Sequence, residues 1–179
     1  MIEKAKQFAT KAHHGQKRKS SEDDYIVHPI RVAHTLSAAG CAESVVCAGY
    51  LHDVVEDTSI TLNDIEREFG NDVKQLVAAH TEDKSKSWKA RKQHTIATVQ
   101  TGSRDVKYLI VADKLDNLLS MEAELHLTGE SMWVHFSSGY EQQRWYNQAI
   151  VDVMYNGLPS SDIPAFFHEY EAAVRRFFP

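Results

Sequence analysis

Apolar residues recur at three- and four-residue intervals along most of the chain, the spacing that lines one face of an α-helix. Ile2, Ala5, Phe8, Ala9 and Ala12 open the pattern, and Gly15 follows as a C-terminal stop. A polar stretch over residues 16–24 is locally dipolar, with Arg18-Lys19-Ser20 ahead of Glu22-Asp23-Asp24. His28-Pro29 reads as a helix start, since proline is tolerated in a first turn, and Ile30, Val32, Ala33 and Leu36 carry that helix to Gly40. A third helix is predicted over residues 42–56 through Val45, Ala48, Leu51 and Val55. Thr61 is placed as the N-cap of residues 62–69, with Asp64 at the third helical position and Gly70 as the stop. Asn71 is placed as the cap of a segment through Val73, Leu76 and Val77. Further helices are predicted over residues 88–101, 105–122, 140–155 and 163–177. Residues 128–139 fit no period, because Gly129, Ser137, Ser138 and Gly139 interrupt it. No alternating strand pattern and no internal repeat is visible. The expectation is an all-α helical bundle forming a single domain over residues 1–179.

Composition narrows the function classes. The chain has 179 residues, 42% of them hydrophobic, which argues against disorder. Twenty Lys and Arg against 25 Asp and Glu leave a formal charge of −5, a poor endowment for gripping DNA or RNA through many phosphates. A small phosphorylated ligand needs only a few converging cations. The longest apolar stretch, residues 45–51, is too short to cross a membrane, and the first six residues lack a secretory signal, so a cytoplasmic protein is expected. Cys41 and Cys47 imply no disulfide framework.

The densest polar cluster, His52-Asp53-Val54-Val55-Glu56-Asp57, sits on an otherwise apolar helix. On one continuous helix, Glu56, Asp53 and Asp57 lie about 40°, 100° and 140° from His52. Three carboxylates so close repel one another, and burial adds a desolvation cost. Two readings are open: a solvated acidic helix end, or a divalent-cation site of imidazole and carboxylate donors. The flanking Leu51, Val54 and Val55 favour the second. A second anchor lies in Ala112-Asp113-Lys114-Leu115-Asp116-Asn117, where Asp113 follows the apolar run 108–112 and Asn117 shares its face. His28 is the third anchor.

In order, these residues resemble the signature of the HD superfamily of metal-dependent phosphohydrolases: a first His, then His-Asp, then a distant Asp. The stretches Gly15-Gln16-Lys17-Arg18-Lys19-Ser20, Tyr25-Ile26-Val27-His28-Pro29, Leu51-His52-Asp53-Val54-Val55-Glu56-Asp57-Thr58, Phe69-Gly70 and Ala112-Asp113-Lys114-Leu115-Asp116-Asn117-Leu118 are similar to the hydrolase domain of RelA/SpoT proteins. Chain length and Trp88-Lys89-Ala90-Arg91-Lys92 resemble its single-domain form, the small alarmone hydrolases of metazoa and bacteria. The likeness covers residues 5–119 and fades after Met121. It implies a helical HD fold with Mn²⁺, or another divalent metal, on His28, His52, Asp53 and Asp113. It further implies hydrolysis of a guanine nucleotide, (p)ppGpp, at its 3′ position to GDP or GTP and pyrophosphate. With no room for a synthetase or regulatory region, the activity would be degradation alone.

Glu56 and Asp57, adjacent to the metal set without being needed in it, are the candidates to orient or deprotonate the attacking water. Arg18, Lys19, Ser20 and Asn117 are candidate nucleotide contacts. Lys84, Arg91 and Lys92 are either phosphate contacts or a solvated basic face. The chain departs from the family pattern by one extra residue between Arg18 and His28, by Ser21 in place of Gly, by His80 where an apolar residue is usual, and by Asp116 in place of His or Tyr. These departures are expected to lie clear of the metal set and to bear on the substrate. The altered loop over residues 20–24 keeps one rival open, hydrolysis of another nucleotide phosphate such as the 2′-phosphate of NADPH or a nucleoside monophosphate; a rival of another class, a non-catalytic alarmone-binding protein, is opposed by the intact Glu56-Asp57 pair. The other histidines (His13, His14, His34, His94, His126, His135 and His168) carry no motif and are read as ordinary surface or partly buried residues.

Overall fold

The computed structural model describes residues 1–18, 22–135 and 138–179. Among them the helices run α1 (Ile2–Ala12), α2 (Val27–Ala38), α3 (Glu43–Leu51), α4 (Val54–Asp57), α5 (Leu62–Phe69), α6 (Asn71–His80), α7 (Trp88–Thr101), α8 (Arg104–Thr128), α9 (Tyr140–Met154) and α10 (Ala165–Phe177), with 3₁₀ turns at Gly129–His135 and Ser160–Asp162. No strand occurs among the described residues. An isolated antiparallel bridge between Lys17 and Asp24 pins the base of the loop after α1. The expected all-α class holds.

Local chemistry explains most of the boundaries. Thr61 and Asp64 form a reciprocal capping box: Thr61 N–H donates to Asp64 Oδ2 at 2.9 Å, and Asp64 N–H donates to Thr61 Oγ1 at 3.3 Å. Gly70, at φ 87°, lets α6 start directly after α5, so Asn71 is the first helical residue and not the cap expected for it. Ser87 and Ser103 accept from the third helical amides of α7 and α8. α8 runs six residues beyond its expected end at 122, because α10 packs along it and Arg176 grips Glu122 at 2.5 and 2.7 Å. The stretch that fits no period forms a 3₁₀ turn over Gly129–His135, anchored by the buried Met132; residues 136 and 137 lie outside the described set.

The helix predicted over residues 42–56 is broken in the structure. α3 stops at Leu51, and a two-residue turn at His52-Asp53 precedes α4. His52 Nδ1 bonds the Gly49 carbonyl at 2.8 Å, the acceptor that the Asp53 amide would take in an unbroken helix. Asp53, at φ −96° and ψ −6°, absorbs the break. The helical-wheel angles computed for one continuous helix therefore do not apply across the break.

Helices α2, α3, α6 and α8 surround the core that carries the site, with α1 outside α3 and α9 and α10 against α8. The α2–α3 crossing is tight at Gly49, where an added Cβ would lie 2.9 Å from Leu36 Cδ1 and 3.0 Å from Ala33 Cα. This close approach brings the start of α2 and the end of α3 together. Gly49→Ala is expected to cost about 1–3 kcal/mol by overpacking. Urea unfolding of the variant at an unchanged midpoint would show that the contact is not constrained.

Candidate active site

Each side chain of the site is delivered by a different structural cause. His28 is the second residue of α2, held there by its amide bonding Tyr25 O at 3.1 Å, and it is buried. His52 and Asp53 occupy the turn between α3 and α4. Asp113 is in the middle of α8, three residues from Asp116 and four from Asn117, so all three face one side. The structure brings the four sequence-predicted ligands together. His28 Nε2 and His52 Nε2 are 3.2 Å apart; Asp53 Oδ2 lies 3.0 Å from His52 and 3.6 Å from His28; Asp113 Oδ1 lies 3.1 Å from His28 and 3.7 Å from His52.

Those separations suit a small dication, since bonds of about 2.1 Å place neighbouring donors about 3.0 to 3.4 Å apart in octahedral or tetrahedral arrangements. Tautomers agree with the distances. A carbonyl accepts and never donates, so His52 Nδ1 carries its hydrogen toward Gly49 O and leaves Nε2 as the inward donor atom. His28 Nδ1 likewise donates to Asp116 Oδ2 at 2.6 Å, with Asp116 itself clamped by Arg31 at 2.5 and 3.1 Å. Two inward imidazole nitrogens facing each other, with two buried carboxylates, form a donor set that needs a cation. The residues present therefore fit a divalent metal.

The electrostatics say the same. Burial opposes ionisation of Asp53 and Asp113, yet His52 beside Asp53, and Lys114, His28 and His80 around Asp113, hold both carboxyls well below the usual range. Burial also disfavours charge on His52, but Asp53 and Asp113 outweigh it and push its pKa up to about 9. Tyr25 stays protonated, because burial and Asp53 raise its pKa, and its hydroxyl donates to Asp53 Oδ2 at 2.5 Å.

The remaining candidates line one cleft of about 410 Å³ above this set, among them Arg18, Glu56, Asp57, Lys84, Arg91, Lys92 and Asn117. Glu56 is partly buried, accepts from the Glu82 amide at 3.1 Å, and has its pKa raised by burial. Asp57 pairs with Lys84 at 2.6 Å. Arg91 and Lys92 both hold Glu82, at 3.0 and 2.7 Å, so this basic face is neutralised by an acid within the cleft. Asn117 donates to Asp113 Oδ1 at 2.6 Å and accepts from Arg18 at 3.4 Å, while Arg18 also lies over the Tyr25 ring. Lys19 and Ser20 lie outside the described residues.

Two sequence expectations are overturned. The sequence pattern sets His80 and Asp116 clear of the metal set, but in the structure both touch it. His80 ends α6 at the rim of the core, with Nε2 2.9 Å from Asp113 Oδ2 and its ring 4.6 Å from that of His52; Asp116 orients His28. The i,i+3 spacing of Asp113 and Asp116 was the signal that could have revealed the second; no local pattern announces the first. His13, read as unremarkable, is buried, bonds Gln16 at 2.8 Å and packs on Tyr25. Among residues missed altogether, Tyr146 and Asn147 of α9 also line the cleft.

A helical core that brings His, His-Asp and Asp together in this order is the arrangement of an HD domain. The chain belongs to that family: the HD domain model matches residues 5–135. Among its relatives is the guanosine-3′,5′-bis(diphosphate) 3′-pyrophosphohydrolase MESH1 of Drosophila melanogaster, 41% identical over 119 residues, which are 65% of this chain and 66% of that protein. The Xenopus tropicalis MESH1 is 38% identical over 68% of this chain and 70% of its own. A Streptomyces coelicolor GTP pyrophosphokinase is 40% identical, but the match spans only 14% of its length. Of solved structures, lmo0812 of Listeria monocytogenes EGD-e aligns with TM-score 0.81 and 52% identity over 84% of this chain and 98% of that one. A metazoan ortholog of SpoT described as hydrolyzing ppGpp aligns with TM-score 0.81 and 31% identity over 98% and 94%.

Because Asp116 fixes the tautomer of His28, Asp116→Ala should weaken divalent-metal affinity about 10- to 100-fold while helicity is retained. Calorimetric titration would detect this, and unchanged affinity would remove Asp116 from the site. The raised pKa of His52 has its own consequence. A folded value above the ordinary 6.5 stabilises the metal-free chain below that pH and stops doing so as pH rises through about 9. Metal must displace that proton, so affinity should climb about tenfold per pH unit toward 9 and then level. Heats of Mn²⁺ binding that do not depend on the buffer's ionisation enthalpy at pH 7 would contradict it.

Proposed function

We propose that this chain, acting over residues 1–179 as one domain, is a manganese-dependent (p)ppGpp 3′-pyrophosphohydrolase. The observation that carries this reading is the convergence of His28, His52, Asp53 and Asp113 on one buried point at the floor of a nucleotide-sized cleft. The MESH1 relatives, named as guanosine-3′,5′-bis(diphosphate) 3′-pyrophosphohydrolases, support the substrate. Manganese suits a set of two imidazoles and two carboxylates. A cytoplasmic setting, with a guanine nucleotide as partner and neither nucleic acid nor membrane, belongs to the same proposal; among the described residues no helix is long and apolar enough to cross a membrane.

When bound, the dication would make water more acidic and offset negative charge on the phosphoryl oxygens. The chain's own groups do the rest. Glu56 is the better base of the acidic pair: burial raises its proton affinity, whereas Asp57 is committed to Lys84. A water held by Glu56 attacks the phosphorus attached to the 3′ oxygen, the bond from that oxygen to phosphorus breaks, and the proton is delivered to the leaving ribose oxygen. Arg18, Lys84 and Arg91 receive the phosphates, and Arg18 presents its guanidinium plane for stacking on the base. Asn117 holds Asp113 from one side and faces the nucleotide from the other.

Incubation with ppGpp and Mn²⁺ should release GDP and pyrophosphate, with a marked preference over NADPH and nucleoside monophosphates in parallel reactions. Glu56→Gln should lower kcat about 10²- to 10⁴-fold with nucleotide binding retained. Release of inorganic phosphate from NADPH at comparable rates would shift the assignment, and absence of turnover on every substrate would leave a binding protein.

A further inference from the structure

Glu82 lines the cleft from the connection between α6 and α7, and the reaction gives it no part. Its carboxylate is ringed by donors: Arg91 Nε at 3.0 Å, Lys92 Nζ at 2.7 Å and Thr95 Oγ1 at 3.3 Å. Lys114 adds a third positive charge, its Nζ and that of Lys92 lying 5.8 and 5.2 Å from the centre of the Tyr146 ring. The Glu82, Arg91 and Lys92 side chains are only 12, 23 and 16% exposed, so water screens them little. Cations gathered in this way need an anion. Burial and the like charge of Lys114 hold the Lys92 ammonium below its usual range; Glu82, against its own burial, is kept ionised by Lys92, Lys114 and Arg91.

Two cationic donors and a hydroxyl converging on the oxygens of one anion are equally the set that receives a phosphoryl group. The anion in place is tethered so that it can leave: the Glu82 amide is fixed on Glu56 Oε2 at 3.1 Å, while the carboxylate turns on its own side-chain bonds. We infer that Arg91, Lys92 and Thr95 form a subsite for a terminal phosphoryl group, and that Glu82 fills it in the empty cleft and gives it up to the ligand. A phosphoryl group carries about −1.5 to −2 at neutral pH and three acceptor oxygens, so it displaces a carboxylate of one charge and two oxygens from the same donors. Because the carboxylate competes with every arriving anion, it also weakens retention of the phosphorylated products.

The subsite rests on the proposed activity for its place in the reaction, but its test needs no turnover. Inorganic pyrophosphate and GDP, the two products, are titrated calorimetrically into the protein with and without Mn²⁺. Glu82→Gln should bind at least one of them about tenfold more tightly than the wild type, since a buried like charge is removed from the subsite. A gain for pyrophosphate alone places the released diphosphate there, and a gain for GDP places the 5′ diphosphate there. Adding Lys92→Met to Glu82→Gln should abolish the gain. Should Glu82→Gln lose its helical circular dichroism, Glu82→Asp, which draws the charge back by one carbon, should show a gain of about threefold. Unchanged or weaker binding of both probes by the folded variant, or a gain that survives Lys92→Met, would overturn the subsite and leave Glu82 as a structural counter-ion of Arg91 and Lys92. A chain inactive on ppGpp can still show the gain, so failure of the proposed activity and failure of the subsite are told apart.

Discussion

Two imidazole nitrogens facing each other across 3.2 Å, each with its opposite nitrogen committed elsewhere, are the constraint on which the rest of the site depends. Neither ring can turn its N–H inward without abandoning the Gly49 carbonyl or the Asp116 carboxylate. With Asp53 and Asp113 buried beside them, positive charge must sit between the four. In the metal-free chain a proton on His52 does this electrostatic work, which is why its pKa is raised despite burial. A dication would do it better, because it could bond all four groups at once.

The fold can be understood as the means of holding that arrangement. Packing of Gly49 against Ala33 and Leu36 sets α2 close to α3. The break at His52-Asp53 then aims two consecutive side chains at one point, which a continuous helix would have spread by about 100°. α8 supplies the opposite wall, and its four-residue repeat gives Asp113 and Asn117 a common face. The same helix carries Asp116 out to His28, and Arg31 of α2 returns to Asp116, so α2 and α8 are tied by an ion pair that also orients a ligand. Structural and chemical roles coincide in these residues.

Much of this was legible in the sequence. The helical periods located nearly every element, because helix punctuation such as the Thr61 cap and the Gly70 stop is local chemistry; the Ser87 and Ser103 caps emerged only with the structure. The four donors were legible through their order along the chain. What could not be read were features made by tertiary contact. The kink at His52 depends on a side chain competing with its own backbone, the extension of α8 on Arg176 from a distant helix, and the part played by His80 on where the end of α6 lands. The sequence left Lys84 and Arg91 as either phosphate contacts or a solvated basic face; their place in the cleft and their acidic partners Asp57 and Glu82 became apparent only in three dimensions.

The central claim is that four side chains from three separate segments enclose one dication. Anomalous scattering from crystals grown with Mn²⁺, recorded at the manganese edge, addresses it directly. A peak within bonding distance of His28 Nε2, His52 Nε2, Asp53 Oδ2 and Asp113 Oδ1 is the predicted result. Density showing these four groups without an ion between them, in crystals where manganese is bound elsewhere on the chain, would contradict it.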